Sequence, residues 1–195
     1  RAALNLNAVG DSRIYNGTAA SAVAVNSVGL VGGDTVTGLS QSFQSKNVMG
    51  TNGSLLQVNG GYVVNDGNGG NNYTITLGTA PGTITPASLV VGGVAAVSRV
   101  YDTTTTAALS GAAFVTALGT DNVTVSGTGV GTFAGKNVGT AKPVSVSGFT
   151  LSGPDAGNYL VVQPSGLTAN ITPAPLAVAG ITASDKVYNA SANAT

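Results

Sequence analysis

Side chains that could do chemistry are scarce in this chain of 195 residues. The seven acidic residues are all Asp, and neither His nor Cys, the commonest general base and the strongest nucleophile, occurs. Asp34 and Asp121 lie far apart in the sequence. General acid–base catalysis needs two groups that converge on one substrate. We therefore expect the protein not to be an enzyme.

The Asp residues could instead hold calcium at a joint between domains. Calcium takes about six to eight oxygen ligands, usually from several carboxylates close together. The sequence contains no D-x-D or D-x-N-x-D cluster. We therefore expect no metal and no other cofactor, and we interpret Asp34 and Asp121 as turn caps.

Two Lys-Asn pairs raise a different possibility, an intramolecular isopeptide bond with loss of ammonia. They are Lys46-Asn47 and Lys136-Asn137, in the similar segments SKNVMGT and GKNVGT. A buried Lys beside an Asn and an acid would be needed for that reaction. We favour the alternative, an exposed turn with a solvated Lys.

A short corner motif occurs three times, as SRIYN (12–16), SRVYD (98–102) and SDKVYN (184–189). Its aromatic residues are Tyr15, Tyr101 and Tyr188, and Asn16, Asp102 and Asn189 follow them. We expect each Tyr ring to pack on a core, with its hydroxyl bonded to nearby backbone. The Asn or Asp would close an Asx turn. An exposed aromatic row that stacks on glycan is the alternative.

The corner motif is part of a repeat of about 87 residues that runs along the chain. ITPASL (84–89) returns as ITPAPL (171–176), and GGDTVTG (32–38) returns as GTDNVTVSG (119–127). The predicted domains are therefore 1–85, 86–172 and the opening of a third repeat, 173–195. Each joint contains Pro, which favours a semi-rigid, elongated string.

The composition favours strands over helices. Val, Thr and Ile suit a pleated surface, and the 29 Gly residues suit turns. In the second repeat, strand-like segments are predicted at 89–97, 99–101, 107–109, 123–126, 144–151, 158–162 and 167–171. We predict an all-β protein built of small Ig-like β-sandwich repeats. A β-helix and a β-grasp-like repeat are the alternatives.

The charge pattern bears on possible partners. Charged residues make up 7% of the chain, the net charge is zero, and the seven Lys and Arg residues are scattered. Nucleic acid is therefore not an expected partner, because it needs a basic patch. The longest near-apolar run, 89–97, is too short to insert across a membrane. The Gly-rich stretch NDGNGGNN (65–72) lacks the Lys-Ser/Thr of a phosphate loop and predicts a hairpin loop.

Several of these segments resemble a known family. VYD followed by Thr-rich sequence, TFAGKNVGTAKPVSVSGFTLSGPDAGNY (132–159) and ITPAPLAV (171–178) resemble YDG-type and related MBG-type repeats. Such repeats occur in large bacterial surface exoproteins, including filamentous-haemagglutinin-like adhesins. The Tyr-Asp-Gly core itself is changed to YDT, YNG and YNA here. That change favours a turn role that Asn and Asp share.

The resemblance implies a non-catalytic stalk or fibre segment of a bacterial adhesin or biofilm-matrix protein. It implies an extracellular or cell-surface location in a Gram-negative-type exoprotein. The expected partners are neighbouring repeats of the same protein, with self-association into fibres. The alternative function is a glycan- or protein-binding module whose loops form the binding surface.

Overall fold

The computed structural model describes residues 1–193, and within them it is all-β. No helix in that part of the chain is long and apolar enough to cross a membrane. The first repeat contains β1 (Ala2–Asn7), β2 (Ser12–Ile14), β3 (Asn26–Val28), β4 (Thr35–Thr37), β5 (Gln41–Phe43), β6 (Gly50–Val58), β7 (Val63–Asn65), β8 (Tyr73–Gly78) and β9 (Ala80–Thr85).

The second repeat has two longer strands in its centre. It contains β10 (Ala87–Val90), β11 (Ala95–Ala96), β12 (Arg99–Val100), β13 (Thr106–Ala107), β14 (Leu109–Ser110), β15 (Thr124–Phe133), β16 (Gly139–Ser152), β17 (Tyr159–Val162) and β18 (Leu167–Thr172). A single turn of 3-10 helix, η1 (Ala156–Asn158), precedes β17.

The two ends of each repeat run side by side. β1 pairs with β8 in parallel, from Ala2 opposite Tyr73 to Asn7 opposite Gly78, and β2 pairs with β9 in the same way. The second repeat pairs β10 with β17 and β12 with β18, also in parallel. Near the start of each repeat the chain thus passes from one sheet to another. Near the end of the repeat it does so again, in parallel with the first crossing.

The remaining pairs are antiparallel and build the sheets outward from these ends. In the first repeat the sheet orders are β3-β1-β8 and β2-β9-β6-β5, with a small β4-β7 ribbon. In the second repeat they are β12-β18-β16-β15-β13, β10-β17 and β11-β14. An all-β architecture is confirmed by this arrangement.

Alternating side chains create the core. On β1, Leu4 and Leu6 are fully buried while their neighbours are partly exposed, as the two-residue period of a half-buried strand requires. They meet Leu56 of β6 and Ile84 of β9 in one apolar cluster. Strands from both sheets of the first repeat therefore share a single core.

That core continues into the second repeat. The same cluster includes Ala87, Leu89 and Tyr159, whereas a separate cluster around Phe133 and Ile171 fills the far half of the second repeat. Pro86 is the single residue between β9 and β10. The joint is thus a single residue flanked by continuous packing.

Several predictions differ from the structure. The strand predicted at 89–97 is interrupted at Gly92 and Gly93, because Gly93 has a positive φ of 79° that ends the extended run. β15 extends to Phe133 through a Gly-rich stretch that the sequence did not predict as strand. The alternative β-grasp-like unit requires a helix, and residues 1–193 contain none beyond η1.

The Gly-rich loop at 65–72 is not a hairpin loop, because β7 and β8 belong to different sheets. The Asp66 carboxylate holds it together by accepting backbone N–H groups of Gly70, Asn68 and Asn72. The bond from Gly70 contributes most to lowering the pKa of Asp66 below its usual value.

The predicted third repeat, 173–195, is described as far as residue 193, and its last two residues lie outside the described part. Residues 173–193 form no strand, and Leu176 and Val187 are almost fully exposed. In the first repeat, β1 is held by the later strands β3 and β8. No equivalent partners for this segment occur within residues 1–193.

Candidate functional site: the junction between the repeats

The repeated corner is built in the same way in both complete repeats. The Arg13 guanidinium lies 4.9 Å from the Phe43 ring centre, and Arg99 lies 5.3 Å from that of Phe133. Each Arg donates to a carbonyl five residues later, on Thr18 or Thr104. The Arg of the corner motif and a Phe at the end of a later strand thus stabilise the corner together.

The Asx turn predicted after each Tyr is present. The Thr18 N–H donates to Asn16 Oδ1 at 3.1 Å, and the Thr104 N–H donates to Asp102 Oδ1 at 2.9 Å. In the third copy the Ser191 N–H donates to Asn189 Oδ1 at 3.1 Å, although Tyr188 is exposed. Asn and Asp are interchangeable here because both offer the same accepting oxygen.

The Tyr residues of the corner do not bond nearby backbone as predicted. Tyr15 is 2% exposed, and its hydroxyl donates to Asp121 Oδ2 of the second repeat at 2.5 Å. Its ring meets the Tyr159 ring edge-on, with the centres 5.4 Å apart. Tyr101 is half-buried, and its hydroxyl has no hydrogen bond to any described residue. Tyr15 therefore joins the repeats, whereas Tyr101 does not reach a partner.

Asp121 is the centre of the junction. Its side chain is 2% exposed, and it accepts hydrogen bonds from Tyr15, from Tyr159 at 2.8 Å and from Lys46 Nζ at 2.5 Å. Lys46 is 36% exposed and lies 5.9 Å from the Tyr15 ring centre. The turn cap predicted for Asp121 and the solvated Lys predicted at position 46 are therefore replaced by an ion pair between the repeats.

A second layer of polar contacts flanks Asp121. The buried Asn158 accepts the Val48 N–H at 2.9 Å and donates to Asn47 Oδ1 at 3.2 Å. The 3-10 turn η1 places Asn158 at its end, immediately before Tyr159. Both polar groups of the Asn158 amide are thereby satisfied by the first repeat, as a buried amide requires.

The electrostatics of the junction follow from burial and these bonds. Burial opposes the charge on Asp121, but the bonds from Lys46, Tyr15 and Tyr159 outweigh it and lower the pKa of the carboxyl. The bond to Asp121 raises the pKa of Lys46. Burial, together with the bond to Asp121, raises the pKa of Tyr159 to about 12 and also raises that of Tyr15. All four groups keep their usual charge states at neutral pH.

The first repeat presents half of this arrangement at its other end. Tyr73 is buried, its hydroxyl donates to Asp34 Oδ2 at 2.7 Å, and it accepts the Val31 N–H at 2.9 Å. In the junction, Tyr159 donates to Asp121 and accepts the Leu118 N–H at 2.9 Å. Within residues 1–193, the Asp34 carboxylate accepts no hydrogen bond from a Lys or from a second Tyr.

Lys136 and Asn137 occupy the matching position at the far end of the second repeat. Both are exposed, and neither makes a side-chain hydrogen bond to a described residue. Val138 is 50% exposed, whereas its counterpart Val48 is half-buried in the junction. The predicted site residues therefore fall into separate groups. Those in the completed junction are Tyr15, Lys46, Asn47 and Asp121. Those on the two faces that have no partner within residues 1–193 are Asp34, Tyr101, Lys136 and Asn137. Asn16, Asp102 and Asn189 accept turn bonds, and Tyr188 is exposed.

Sequence reasoning missed Tyr159, Asn158 and Tyr73 as members of the site. The signal was present, because Tyr73 and Tyr159 recur with the period of Asp34 and Asp121. This period identified each pair as part of the repeat. It did not show that Asp121 and Tyr159 contact the neighbouring repeat.

Within residues 1–193, reactive groups form no second cluster at the surface. Among residues 1–193, no three Asp side chains come together in a way that could hold a metal ion. Four surface depressions, of about 230–440 Å³, are lined by apolar, amide and hydroxyl groups, and none of the four is lined by a Lys, Arg or Asp residue. The junction is therefore the best-defined site in the described part of the chain.

Comparison with known proteins identifies the family of both repeats. The model of the YDG domain matches twice, over residues 1–82 and 85–166. No curated protein and no solved structure matches the chain. The family assignment made from the sequence is therefore corrected. The match is to the YDG domain alone, in both repeats, and the wider assignment to MBG-type repeats and filamentous-haemagglutinin-like adhesins does not stand. The chain belongs to the YDG domain family and carries two copies of the domain.

Proposed function

We propose that this chain is a non-catalytic structural segment in which YDG domains are stacked end to end as a semi-rigid spacer. The observation that carries the proposal is the junction at Asp121, where a buried carboxylate in the second repeat accepts Tyr15 and Lys46 of the first. Residues of the repeated motifs therefore form contacts between the two repeats. That use is expected when the arrangement of neighbouring domains is itself the function.

The form of each domain is part of this proposal. We interpret each repeat as a small sandwich of the Ig-like kind, a form in which two sheets pack around a shared core. Support comes from Leu4 of the β3-β1-β8 sheet and Leu56 of the β2-β9-β6-β5 sheet, which share a cluster. The elongated form is supported by the single-residue joint at Pro86.

A location outside the cell fits the spacer role. The chain has no Cys, so an export route that carries it unfolded would not cross-link it. Its surface carries few charges and relies on Asn, Ser and Thr for polarity. Neighbouring repeats of the same protein are the partners that this proposal names.

Nucleic acid is the contrasting partner to test, because the SRA-type YDG domain binds methylcytosine in DNA. Phosphate binding depends on clustered Lys and Arg. Here Lys46 is paired with Asp121, and Arg13 and Arg99 lie over Phe rings. We therefore expect no binding of duplex DNA that contains 5-methylcytosine at physiological salt. Micromolar binding to this DNA that weakens as salt is added would contradict the spacer proposal and indicate DNA binding instead.

The spacer is tested directly by the distance between spin labels in the two repeats. The absence of native Cys allows labels at Thr76→Cys and Ser147→Cys, two exposed strand positions. Double electron–electron resonance should give one narrow distance distribution. Asp121→Ala should broaden it, because the junction loses its central acceptor.

Asp34→Ala is the matched control, since it removes the equivalent residue from a position outside the junction. It should leave the distribution narrow. A broad distribution in the unaltered protein, or equal broadening by both substitutions, would contradict the proposal.

A further inference from the structure

The outer faces of the two complete repeats carry complementary halves of the internal junction. The donor face, defined by Tyr101, Lys136 and Asn137, corresponds to Tyr15, Lys46 and Asn47 of the first repeat. The acceptor face, defined by Val31, Asp34 and Tyr73, corresponds to Leu118, Asp121 and Tyr159 of the second. The completed junction shows how two such faces fit.

The donor face is held in the same frame as its completed counterpart. The Tyr101 N–H donates to the Thr172 carbonyl at 2.9 Å, as the Tyr15 N–H donates to the Thr85 carbonyl at 2.8 Å. Arg99 lies over Phe133 as Arg13 lies over Phe43. The backbone and bracing groups that position Tyr101 are thus already formed.

The acceptor face is also preformed. The Asp34 N–H donates to the Val31 carbonyl at 3.1 Å and the Asp121 N–H to the Leu118 carbonyl at 3.0 Å, so both Asp residues end the same turn. Tyr73 orients the Asp34 carboxylate as Tyr159 orients Asp121. Val31 is 59% exposed at the position where Leu118 borders the junction.

We propose that the donor face of one molecule binds the acceptor face of a second copy of this chain, with Tyr101 and Lys136 donating to Asp34. The inference rests on the proposed spacer role, because it uses the same junction between molecules. Such an interface is head-to-tail, so its repetition links many copies, in an open filament or, where the rotation between copies closes, in a ring. Among the described residues, nothing covers Lys136 and Val138 of the donor face, and both are exposed.

Charge favours this occupant over an unrelated protein. The donor face contributes the Lys136 cation, and the acceptor face contributes the Asp34 carboxylate, so each supplies what the other lacks. Both faces also carry an exposed Val, Val138 and Val31, whose counterparts Val48 and Leu118 are more buried at the junction.

Engineered cysteines can trap the contact because the chain has no native Cys. A Cβ atom added to Gly17 would lie 3.9 Å from Leu118 Cβ across the internal junction, which is within disulfide range. The equivalent positions on the open faces are Thr103 and Val31. Thr103 already has a side chain at a φ of 72°, so Thr103→Cys introduces no new backbone strain.

The experiment oxidises the Thr103→Cys/Val31→Cys double variant of the full chain at about 1 mM, near the effective concentration that a short linker provides. Non-reducing electrophoresis should show a ladder of dimers, trimers and longer species. Each single variant should give at most dimers. Adding Lys136→Met should reduce the ladder about fivefold or more, whereas Lys142→Met on β16 should not change it.

Gly17→Cys/Leu118→Cys is the internal reference and should form a disulfide within one molecule. If that disulfide forms but the ladder is absent, or if Lys136→Met leaves the ladder unchanged, the intermolecular contact is wrong while the spacer proposal survives. If the internal disulfide fails to form and the label distances are broad, the spacer proposal falls and this inference falls with it.

Discussion

Lys46 and Asp121 belong to different repeats, yet Lys46 Nζ and Asp121 Oδ1 lie 2.5 Å apart. The carboxylate is buried and receives two Tyr hydroxyls as well. A buried carboxylate with three donors from three segments is a strong constraint on how those segments are arranged. The junction between the repeats is therefore specified by directional bonds in addition to apolar contact.

Asp121→Asn should lower the free energy of unfolding by about 2–3 kcal/mol, because charge-assisted bonds at a buried acceptor are lost. Asp34→Asn should cost about 1 kcal/mol or less, since Asp34 has the Tyr73 bond alone among the described contacts. Urea unfolding followed by circular dichroism measures both. Equal costs would show that the contacts from the first repeat contribute nothing.

Acid should weaken the junction. The pKa of Asp121 is lower in the folded protein than in the unfolded chain. Its stabilisation is therefore complete above the unfolded pKa of about 3.9 and is lost as the pH falls through the lower folded value. Stability measured from pH 7 down to pH 2 should show this loss. Asp121→Asn should flatten the profile, and an unchanged profile in that variant would assign the acid sensitivity to other carboxyls.

Alkali should reveal three Tyr residues that ionise late. The pKa of Tyr159 is raised to about 12, and those of Tyr15 and Tyr73 are also raised. Their stabilising contribution is full below the unfolded pKa of about 10 and disappears as the pH rises through the folded values. The chain has six Tyr and no Trp, so absorbance near the tyrosinate band follows them directly.

Tyr159→Phe should remove one late-ionising group from that titration. A curve in which all Tyr residues ionise together near their usual pKa would contradict the closed junction.

Asp102→Asn should change stability by less than about 0.5 kcal/mol, because Asn keeps the oxygen that accepts the Thr104 N–H. Asn also keeps an oxygen that can accept from Arg99, as Asn16 accepts from Arg13 in the first repeat. Asp102→Ala should cost about 1 kcal/mol through loss of the turn bond. Thermal unfolding of the two variants side by side measures the difference. Equal losses would show that charge, and not the turn, makes position 102 matter.

The sequence predicted those features that depend only on residues close together in the chain. The Asx turns at Asn16 and Asp102 need only an oxygen and an N–H two residues later, so the motif reveals them. The later, Gly-rich part of β15 was missed because Gly has low strand propensity, although pairing with β16 overrides that preference. The partners of Asp121 were missed for a different reason. Tyr15 is more than a hundred residues earlier in the chain, and no local rule connects the two.

The parallel pairing of β1 with β8 has a mechanical consequence. A pull on the two ends of a repeat draws these strands past each other along their length, so the bonds from Ala2–Tyr73 to Asn7–Gly78 are loaded in shear. Bonds loaded in shear must break together, whereas bonds in a peeled hairpin break one at a time. Since β9 continues into β10 through Pro86 alone, tension passes directly from one such clamp to the next. Resistance to force should therefore be set by the unfolding rate of each clamp, and a string of repeats should extend under load in discrete steps.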